Sequence, residues 1–121
     1  MPKTVLVIDD DEIIRLTTEE ILHELGYHTL SADSGDSGLK LFIEKNKEID
    51  LILLDLTMPG RSVVDIFADM LKTDPGARVL ISSGNSYDPK VEKLRSLGAK
   101  DFLQKPYTIT DMENKIKENS K

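Results

Sequence analysis

The segment LILLDLTMPG, residues 51–60, carries four apolar residues directly into an aspartate and then into a turn. A wholly apolar run of this kind is typical of a strand that is buried on both faces of a parallel sheet. Pro59 and Gly60 are strong turn residues, so Asp55 stands where the strand ends. The segment therefore predicts a central strand that delivers a carboxylate from its carboxyl end.

Two further runs have the same character, TVLVI at residues 4–8 and VLIS at residues 79–82. The segments YHTLSA (27–32) and KDFLQ (100–104) predict two more strands, and the charges of the second suit a sheet edge. Helical patterns separate all of these strands. The alternation predicts an α/β fold, a single doubly wound five-stranded parallel sheet flanked by five helices.

The helical segments place apolar side chains three and four residues apart, which predicts one core-facing stripe on each helix. Asp88 with Pro89 predicts the start of the fourth helix, and TDME (110–113) predicts a capping box that opens the fifth. We expect Gly26 and Gly98 to end the first and fourth helices. The expected inward-facing residues are Ile14, Thr18, Ile21, Leu22, Leu25, Leu39, Phe42, Ile43, Val63, Ile66, Phe67, Met70, Leu71, Val91, Leu94, Leu97, Met112 and Ile116.

The composition suits one soluble domain spanning residues 1–121, because 39% of the residues are apolar and 31% are charged. The net charge of −6 argues against direct nucleic acid binding, which needs a basic surface, and against attraction to anionic membranes. The absence of cysteine excludes disulfides, thiolate zinc sites and thiol catalysis, and it fits a reducing cytoplasm. No apolar run approaches the ~20 residues of a membrane span, so we expect a cytoplasmic protein without membrane insertion.

Polar residues follow four of the predicted strands, at the point where each strand ends. In an open α/β sheet, ligands bind beyond the carboxyl ends of the strands, so we expect these residues to meet at one edge. They are Asp9 and Asp10 after the first strand, Asp55 after the third, Ser82 and Ser83 at the end of the fourth, and Lys105 after the fifth.

Each of these residues alone has a simpler interpretation. An aspartate after a strand, such as Asp10 or Asp11, commonly caps the following helix, a serine commonly lies in a turn, and a lysine before proline is commonly solvated. Asp55 fits a turn role poorly, since Thr57 and Gly60 would be better turn residues than a carboxylate behind four apolar residues. The set as a whole favours a functional site.

Several carboxylates gathered in one site repel one another and need a compensating charge. Oxygen-rich sites of this kind suit Mg²⁺, and Lys105 would add a further positive charge. A metal, a lysine and a hydroxyl donor can together neutralise the oxygens of a phosphoryl group while a carboxylate attacks the phosphorus in line. The residues therefore predict phosphoryl transfer through an aspartyl phosphate, with Mg²⁺ as the cofactor.

Over essentially its whole length the chain resembles the receiver domain of two-component response regulators. The matching segments, in order, are VLVIDDDE, LILLDLTMPG, VLISSGNS and GAKDFLQKPY. The resemblance implies a chemotaxis-regulator-like sheet in the order 2-1-3-4-5 and a signalling switch rather than an enzyme, one that catalyses only its own phosphorylation and dephosphorylation. A histidine kinase or phosphotransfer protein would supply the phosphoryl group, and a downstream effector or output domain would receive the signal.

The resemblance also implies roles for individual residues at the strand ends. Asp55 would be phosphorylated, and Asp9 and Asp10 would bind Mg²⁺ together with it. The backbone carbonyl of Thr57 would be a further metal ligand. Lys105 would pair with the phosphoryl group on Asp55.

Two more residues would carry the signal away from this site. Ser83 takes the place of the family's switch serine or threonine, since it precedes a small residue, Gly84, and lies at the usual interval before Lys105. Phe102 falls at the switch aromatic, with ordinary core packing as the alternative. The resemblance implies that phosphorylation reshapes the face formed by the fourth helix, the fifth strand and the fifth helix, residues 88–119.

The loop after the third strand departs from the family pattern. The family usually has Met-Pro-x-x-x-Gly, whereas MPGRSV places Val63 where that last glycine is expected. We expect Gly60 to take up the turn instead. The step from Lys105 to Pro106 keeps to the pattern, and its peptide bond is typically cis in the family.

Other proteins that use an aspartyl phosphate, or that share this fold class, fit less well. An aspartyl-phosphate hydrolase of the haloacid dehalogenase type needs Asp-x-Asp at its nucleophile, where Thr57 stands here, and usually a cap domain. A flavodoxin-like flavin binder needs a hydroxyl-rich phosphate loop and paired aromatics. The segment SSGNS (82–86) is similar to receivers attached to sensor kinases, so a stand-alone receiver and a receiver module of a hybrid sensor histidine kinase are both open interpretations.

Overall fold

The computed structural model describes residues 3–58, 60, 62–84, 88–105 and 107–119. Its strands are β1 (Thr4–Ile8), β2 (His28–Ala32), β3 (Leu51–Asp55), β4 (Val79–Ser83) and β5 (Asp101–Gln104). Its helices are α1 (Glu12–Glu24), α2 (Gly35–Lys45), α3 (Val63–Thr73), α4 (Pro89–Leu97) and α5 (Ile109–Asn119). Within the described residues, none of these helices has the length and apolar character that crossing a membrane requires.

The strands form one parallel sheet in the order β2-β1-β3-β4-β5. β1 lies between two neighbours, so that Ile8 pairs with Ala32 of β2 on one side and with Leu54 of β3 on the other. β3 and β4 are buried at every position, which is why their sequences do not alternate between polar and apolar residues. The predicted fold class and strand order are both confirmed.

Alternate residues of the central strands point to opposite faces of the sheet, and each face has its own apolar core. In β1, Leu6 and Ile8 pack on the face that is covered by α2, α3 and α4, together with residues such as Phe42. Val5 and Val7 pack on the other face, which is covered by α1 and α5. Because helices cover both faces, the ends of the strands are where polar side chains of the sheet can meet.

Glycine sets how closely one helix approaches the sheet and where two others end. A Cβ atom on Gly38 would lie 2.4 Å from Cδ1 of Ile8, so glycine is what allows α2 to pack this close to β1. Gly26 and Gly98 have φ angles of 90° and 120°, in the region that favours glycine. They follow the last turns of α1 and α4, as predicted.

Two residues predicted to face inward are instead exposed, and a third, Ile14, is only partly buried. Ile43 is 52% exposed and Leu97 is 42% exposed. The buried stripe of α2 ends at Phe42, so the next residue along the helix turns toward solvent. In α4 the buried residues are Val91 and Leu94, and Leu97 is the last residue of the helix, where the packed stripe has already ended.

The capping box of α5 lies two residues before its predicted position at 110–113. The amide N–H of Thr108 donates to Asp111 Oδ2 at 3.0 Å, and the amide N–H of Asp111 donates to Thr108 Oγ1 at 3.1 Å. The TDME prediction is wrong because suitable residue types occur in both registers, and Thr108 is the one that directly precedes the first helical residue.

Candidate functional site

The carboxyl ends of β1 and β3 bring three aspartates together. Asp9 directly follows β1 and Asp55 is the last residue of β3, and since these strands are neighbours, both residues lie at the same edge of the sheet. Asp9 and Asp55 are buried, with 3% and 4% exposure, whereas Asp10 is exposed. Carboxylate oxygens of all three residues lie within 4.8 Å of one another.

Lys105 follows β5 and places its ammonium between the two buried carboxylates. Its Nζ donates to Asp9 Oδ2 at 2.8 Å and to Asp55 Oδ1 at 3.0 Å. The Lys105 side chain is 16% exposed, so both ion pairs are largely shielded from water and from dissolved salt. A single ammonium thus bridges the ends of two central strands.

Burial and neighbouring charges shift the pKa values at this edge. Burial raises the pKa of Asp55; the hydrogen bond and charge of Lys105 oppose this rise, and the nearby Asp9 carboxylate adds to it. Burial lowers the pKa of Lys105, but the hydrogen bonds and charges of Asp9 and Asp55 outweigh burial and raise it. Lys105 therefore stays charged near neutral pH, while ionised Asp55 is less favourable in the folded protein than in the unfolded chain.

Asp11, rather than Asp9 or Asp10, caps helix α1. Its Oδ1 accepts the amide N–H of Ile13 at 3.0 Å and that of Ile14 at 3.2 Å. The carboxylate of Asp9 accepts the amide N–H of Asp11 at 2.9 Å and is buried. Because the cap is supplied by Asp11, simple helix capping does not account for the two aspartates that precede it.

Both candidate switch serines lie at the buried end of β4, the strand beside β3. Ser82 pairs in register with Asp55, and Ser83 lies one residue further along. The carbonyl oxygen of Ser83 accepts the amide N–H of Lys105 at 2.8 Å, which ties the start of the Lys105 loop to β4. Since both serines end this strand, the assignment of Ser83 as the switch hydroxyl stays a prediction.

Gly60 sets the path of the loop after β3. Thr57 is exposed, and its amide N–H donates to Asp55 Oδ1 at 3.5 Å. Gly60 has a φ angle of 99°, whereas Val63, at the position of the family's glycine, is the buried first residue of α3. Gly60 therefore supplies the left-handed conformation, as predicted. The Thr57 carbonyl as a metal ligand stays a prediction.

Phe102 lies in β5, in register with Ile81, and is partly buried against the core on the face covered by α2, α3 and α4. This position is compatible with a switch aromatic and with ordinary core packing, so the role of Phe102 stays a prediction. Pro106 lies outside the described residues, and so does the expected cis bond before it.

One contact beside the site is not predicted by the sequence. The hydroxyl of Thr18, in α1, is hydrogen-bonded to the hydroxyl of Tyr107, which lies two residues after Lys105. Thr18 occupies a position of the apolar stripe of α1, and this spacing does not indicate a hydrogen-bond partner for its hydroxyl. A tyrosine so close behind the lysine is the feature of the sequence that could have pointed to this contact.

The oxygen atoms of Asp9, Asp10 and Asp55 form a donor set that suits Mg²⁺. Carboxylate oxygens are the hard ligands that this ion prefers, and the cluster reaches solvent at Asp10. Three carboxylates facing one ammonium leave an excess of negative charge, which a divalent cation would offset. The residues present therefore fit a Mg²⁺ ion.

Comparison of the chain with known protein families and sequences agrees with this geometry. The sequence model of the family described as the response regulator receiver domain matches residues 5–117 of this chain. The chain is 31% identical to the chemotaxis protein CheY of Thermotoga maritima over 121 residues, which cover 96% of this chain and 98% of that protein. The match thus extends across every strand of the sheet.

Two solved structures have the same backbone arrangement. One is a response regulator receiver domain protein from Clostridium thermocellum, with a TM-score of 0.90 and 31% identity, covering 96% of this chain and 92% of that chain. The other is response regulator protein TrrA from Thermotoga maritima, in complex with Mg²⁺–BeF, with a TM-score of 0.85 and 30% identity, covering 96% and 97%. The similarity therefore spans nearly the whole of each chain.

Proposed function

The chain belongs to the response regulator receiver family, and we propose that it is a phosphorylation-dependent switch that accepts a phosphoryl group on Asp55. Receiver domains are regulatory parts of two-component signalling rather than classical enzymes. In this proposal residues 1–121 form one receiver domain. Its reaction is its own phosphorylation and dephosphorylation.

The observation that carries the proposal is the Lys105 ammonium held between two buried carboxylates at the carboxyl edge of the sheet. A structural ion pair needs one carboxylate for one ammonium. Asp9, Asp10 and Asp55 instead repel one another, and the burial of Asp9 and Asp55 makes the repulsion between those two stronger. An arrangement that opposes folding in this way supports a role in chemistry at Asp55.

The proposed reaction is an in-line displacement at phosphorus. A carboxylate oxygen of Asp55 attacks the phosphorus of a phosphohistidine on the donor protein, an oxygen–phosphorus bond forms, and the phosphorus–nitrogen bond breaks. The histidine nitrogen keeps the electron pair of the broken bond and takes a proton from solvent. The product on this chain is an aspartyl phosphate.

The side chains around Asp55 would stabilise charge during this transfer. Lys105, which contacts Asp55 Oδ1, would move its ammonium onto a phosphoryl oxygen, since that oxygen carries more charge than the carboxylate it replaces. Asp9, Asp10 and Asp55, with the Thr57 carbonyl, would hold Mg²⁺, which when bound offsets the negative charge of the incoming phosphoryl group.

The same phosphoryl group would set the output state. It adds charge and acceptor oxygens at the end of β3, and the hydroxyl of Ser83, on the neighbouring strand, is the donor proposed to follow it inward. Phe102 would then fill the space that this movement vacates, which would reshape the α4-β5-α5 face. Phosphorylation can bias this change only through contacts that differ between the two states.

The proposed partners follow from this cycle. A histidine kinase or a phosphotransfer protein would donate the phosphoryl group, and a downstream effector or an output domain would read the altered face. The chemistry at Asp55 is the same for a stand-alone receiver and for a receiver within a longer chain.

Incubation with acetyl phosphate and Mg²⁺, followed by measurement of the intact mass, tests the acceptor chemistry. We expect wild type to gain one phosphoryl group and EDTA to prevent the gain. Asp55→Asn should gain none, because its neutral carboxamide lacks the anionic oxygen that attacks phosphorus. Asp101→Asn is the matched control, since Asp101 is also paired with a lysine but lies in β5, and it should be modified like wild type. Modification of Asp55→Asn at the wild-type rate would reject the proposal.

A further inference from the structure

A partly buried pair of hydroxyls joins the loop after β5 to helix α1. Thr18, on α1, is 1% exposed, and its hydroxyl is hydrogen-bonded to the hydroxyl of Tyr107, 89 residues away in sequence. Burial raises the pKa of Tyr107, although the hydrogen bond between Tyr107 and Thr18 opposes this rise. The phenol therefore stays protonated at neutral pH.

The Tyr107 ring is packed against the protein on one side. The ring is partly buried against the core shared by α1 and α5. Its other side borders an apolar groove of about 380 Å³ that is also lined by Ile14, Thr17 and Lys105. Because the groove leaves room beside the ring, the hydrogen bond to Thr18 adds a directional constraint that packing on one side does not supply.

Lys105 is fastened at its own backbone and at its ammonium. Its amide N–H donates to the Ser83 carbonyl at 2.8 Å, and its Nζ reaches Asp9 and Asp55. On the carboxyl-terminal side, the next described hydrogen bond of the loop is the one between the hydroxyls of Tyr107 and Thr18. A shift of Tyr107 would therefore be passed along two residues of chain to the base of the Lys105 side chain.

We propose that Thr18 and Tyr107 are positioning residues for phosphoryl acceptance, because their hydrogen bond holds the Lys105 ammonium in place beside Asp55. This inference rests on the function proposed above. Neither hydroxyl touches the phosphoryl group, and both act through Lys105. The geometry of a charged group matters for rate, since a small misplacement weakens its interaction with the transition state far more than it weakens the fold.

Removal of either hydroxyl tests the inference with little change in packing. In Tyr107→Phe and in Thr18→Val, we expect the rate constant for phosphorylation by acetyl phosphate to fall about fivefold, which corresponds to ~1 kcal/mol in the activation free energy. The double variant should be slowed by the same factor as each single variant, because all three lack the same bond. Thr18→Ser keeps a hydroxyl and should restore most of the wild-type rate.

Matched controls remove hydroxyls that do not join this loop to α1. Thr17 lines the same groove, but its hydroxyl donates to the Ile13 carbonyl within α1, so Thr17→Val should keep the wild-type rate. Tyr27 packs against the same core at the far end of α1, so Tyr27→Phe controls for the loss of a phenol. Thermal unfolding of every variant separates effects on rate from loss of the fold.

The lysine ammonium gives a second readout that a purely structural role would leave unchanged. In ¹⁵N-labelled wild type without metal, the ammonium of Lys105 should give a slowly exchanging ¹⁵N–¹H signal, because both of its carboxylate partners are buried. Lys105→Met assigns this signal by removing it. Tyr107→Phe and Thr18→Val should weaken the signal, while Thr17→Val and Tyr27→Phe should not.

The outcomes separate this inference from the proposed function. If wild type is phosphorylated and both hydroxyl variants keep its rate within twofold, the inference is wrong and the function stands. If the variants are slow but the Lys105 signal is unchanged, the pair does not act through Lys105, and the inference is again wrong. If wild type itself takes no phosphoryl group, the proposed function fails, and an unchanged lysine signal in the variants would then reject the positioning role as well.

Discussion

Two aspartate–lysine pairs in this molecule have nearly the same distance between their charged groups, but the pKa values of their aspartates shift in opposite directions. Lys105 Nζ lies 3.0 Å from Asp55 Oδ1 at the carboxyl edge of the sheet, and Lys115 Nζ lies 3.1 Å from Asp101 Oδ2 between β5 and α5. Yet the pKa of Asp55 is raised, and the pKa of Asp101 is lowered. The difference comes from what surrounds each pair.

Asp101 has donors around it and no second carboxylate among its described partners. Burial raises its pKa, but the Phe102 amide N–H, the Lys115 ammonium and the Asn119 amide outweigh burial and lower it. Arg95 adds a guanidinium nitrogen at 3.7 Å. Asp101 is therefore an aspartate whose ionised form the fold favours, and its network ties α4 and α5 to β5.

Asp55 shares its lysine with Asp9 and lies close to Asp10. Burial and the Asp9 carboxylate together raise its pKa despite the opposing effect of the ammonium, so the folded protein disfavours the charged form that the proposed chemistry requires. An ion pair seen in a structure therefore does not by itself indicate that the pair stabilises the folded protein. The neighbouring charges and the depth of burial decide whether the pair supports the fold or opposes it.

The largest expected effect comes from removing each lysine in turn. Lys105→Met leaves two buried carboxylates without their cation and should lower the free energy of unfolding by about 2–3 kcal/mol in EDTA. The Lys115 side chain is 33% exposed, and Asp101 keeps its other donors, so Lys115→Met should cost at most ~1 kcal/mol. Urea unfolding measures both variants. Equal losses in the free energy of unfolding would mean that the two pairs contribute equally to stability, which would contradict the difference described here.

The next largest effect is that replacing each aspartate with asparagine should change the free energy of unfolding in opposite directions. Asp101→Asn loses charge-assisted hydrogen bonds and should lower the free energy of unfolding by about 1–2 kcal/mol. Asp55→Asn relieves repulsion from Asp9 and Asp10 and should raise it by up to ~1 kcal/mol when metal is absent. The midpoints of thermal unfolding in EDTA should move in opposite directions. A loss of stability in both variants would show that Asp55, too, supports the fold.

The smallest expected effect is on the pH dependence of stability. Because the pKa of Asp101 is lower in the folded state, its stabilising contribution is fully present above its unfolded pKa of about 3.9 and is lost as pH falls through the folded value. The stability difference between wild type and Asp101→Asn should therefore shrink below about pH 4. Denaturant unfolding between neutral and acid pH measures this difference. A constant difference over the whole range would contradict the lowered pKa.

The sequence alone predicted the parts of the fold that depend on local pattern. Apolar runs located the buried strands, because a strand covered on both faces shows no alternation. The segment order then placed Asp9, Asp55 and Lys105 at one edge, where the structure has them. The exact end of the buried stripe on a helix was less predictable. Ile43 and Leu97 are apolar and look like core residues in the sequence, but each lies past the last buried residue of its helix.

Contacts between segments far apart in the sequence could not be predicted from it. Thr18 and Tyr107 lie 89 residues apart, and the hydroxyls give no periodic signal of their pairing. The network around Asp101 joins β5 to two helices, and its residues are ordinary surface types when read one at a time. Such contacts follow from the packing of finished elements, and local patterns carry no information about them.

The most direct test of the central claim is to locate the phosphoryl group. Wild type is phosphorylated with acetyl phosphate and Mg²⁺, reduced with borohydride so that an aspartyl phosphate becomes homoserine, and digested for peptide mass spectrometry. We expect homoserine at residue 55 and unmodified aspartate at residues 9, 10 and 101. Homoserine at residue 9 or 10 with intact Asp55, or a phosphoryl group that survives reduction on a hydroxyl, would contradict it.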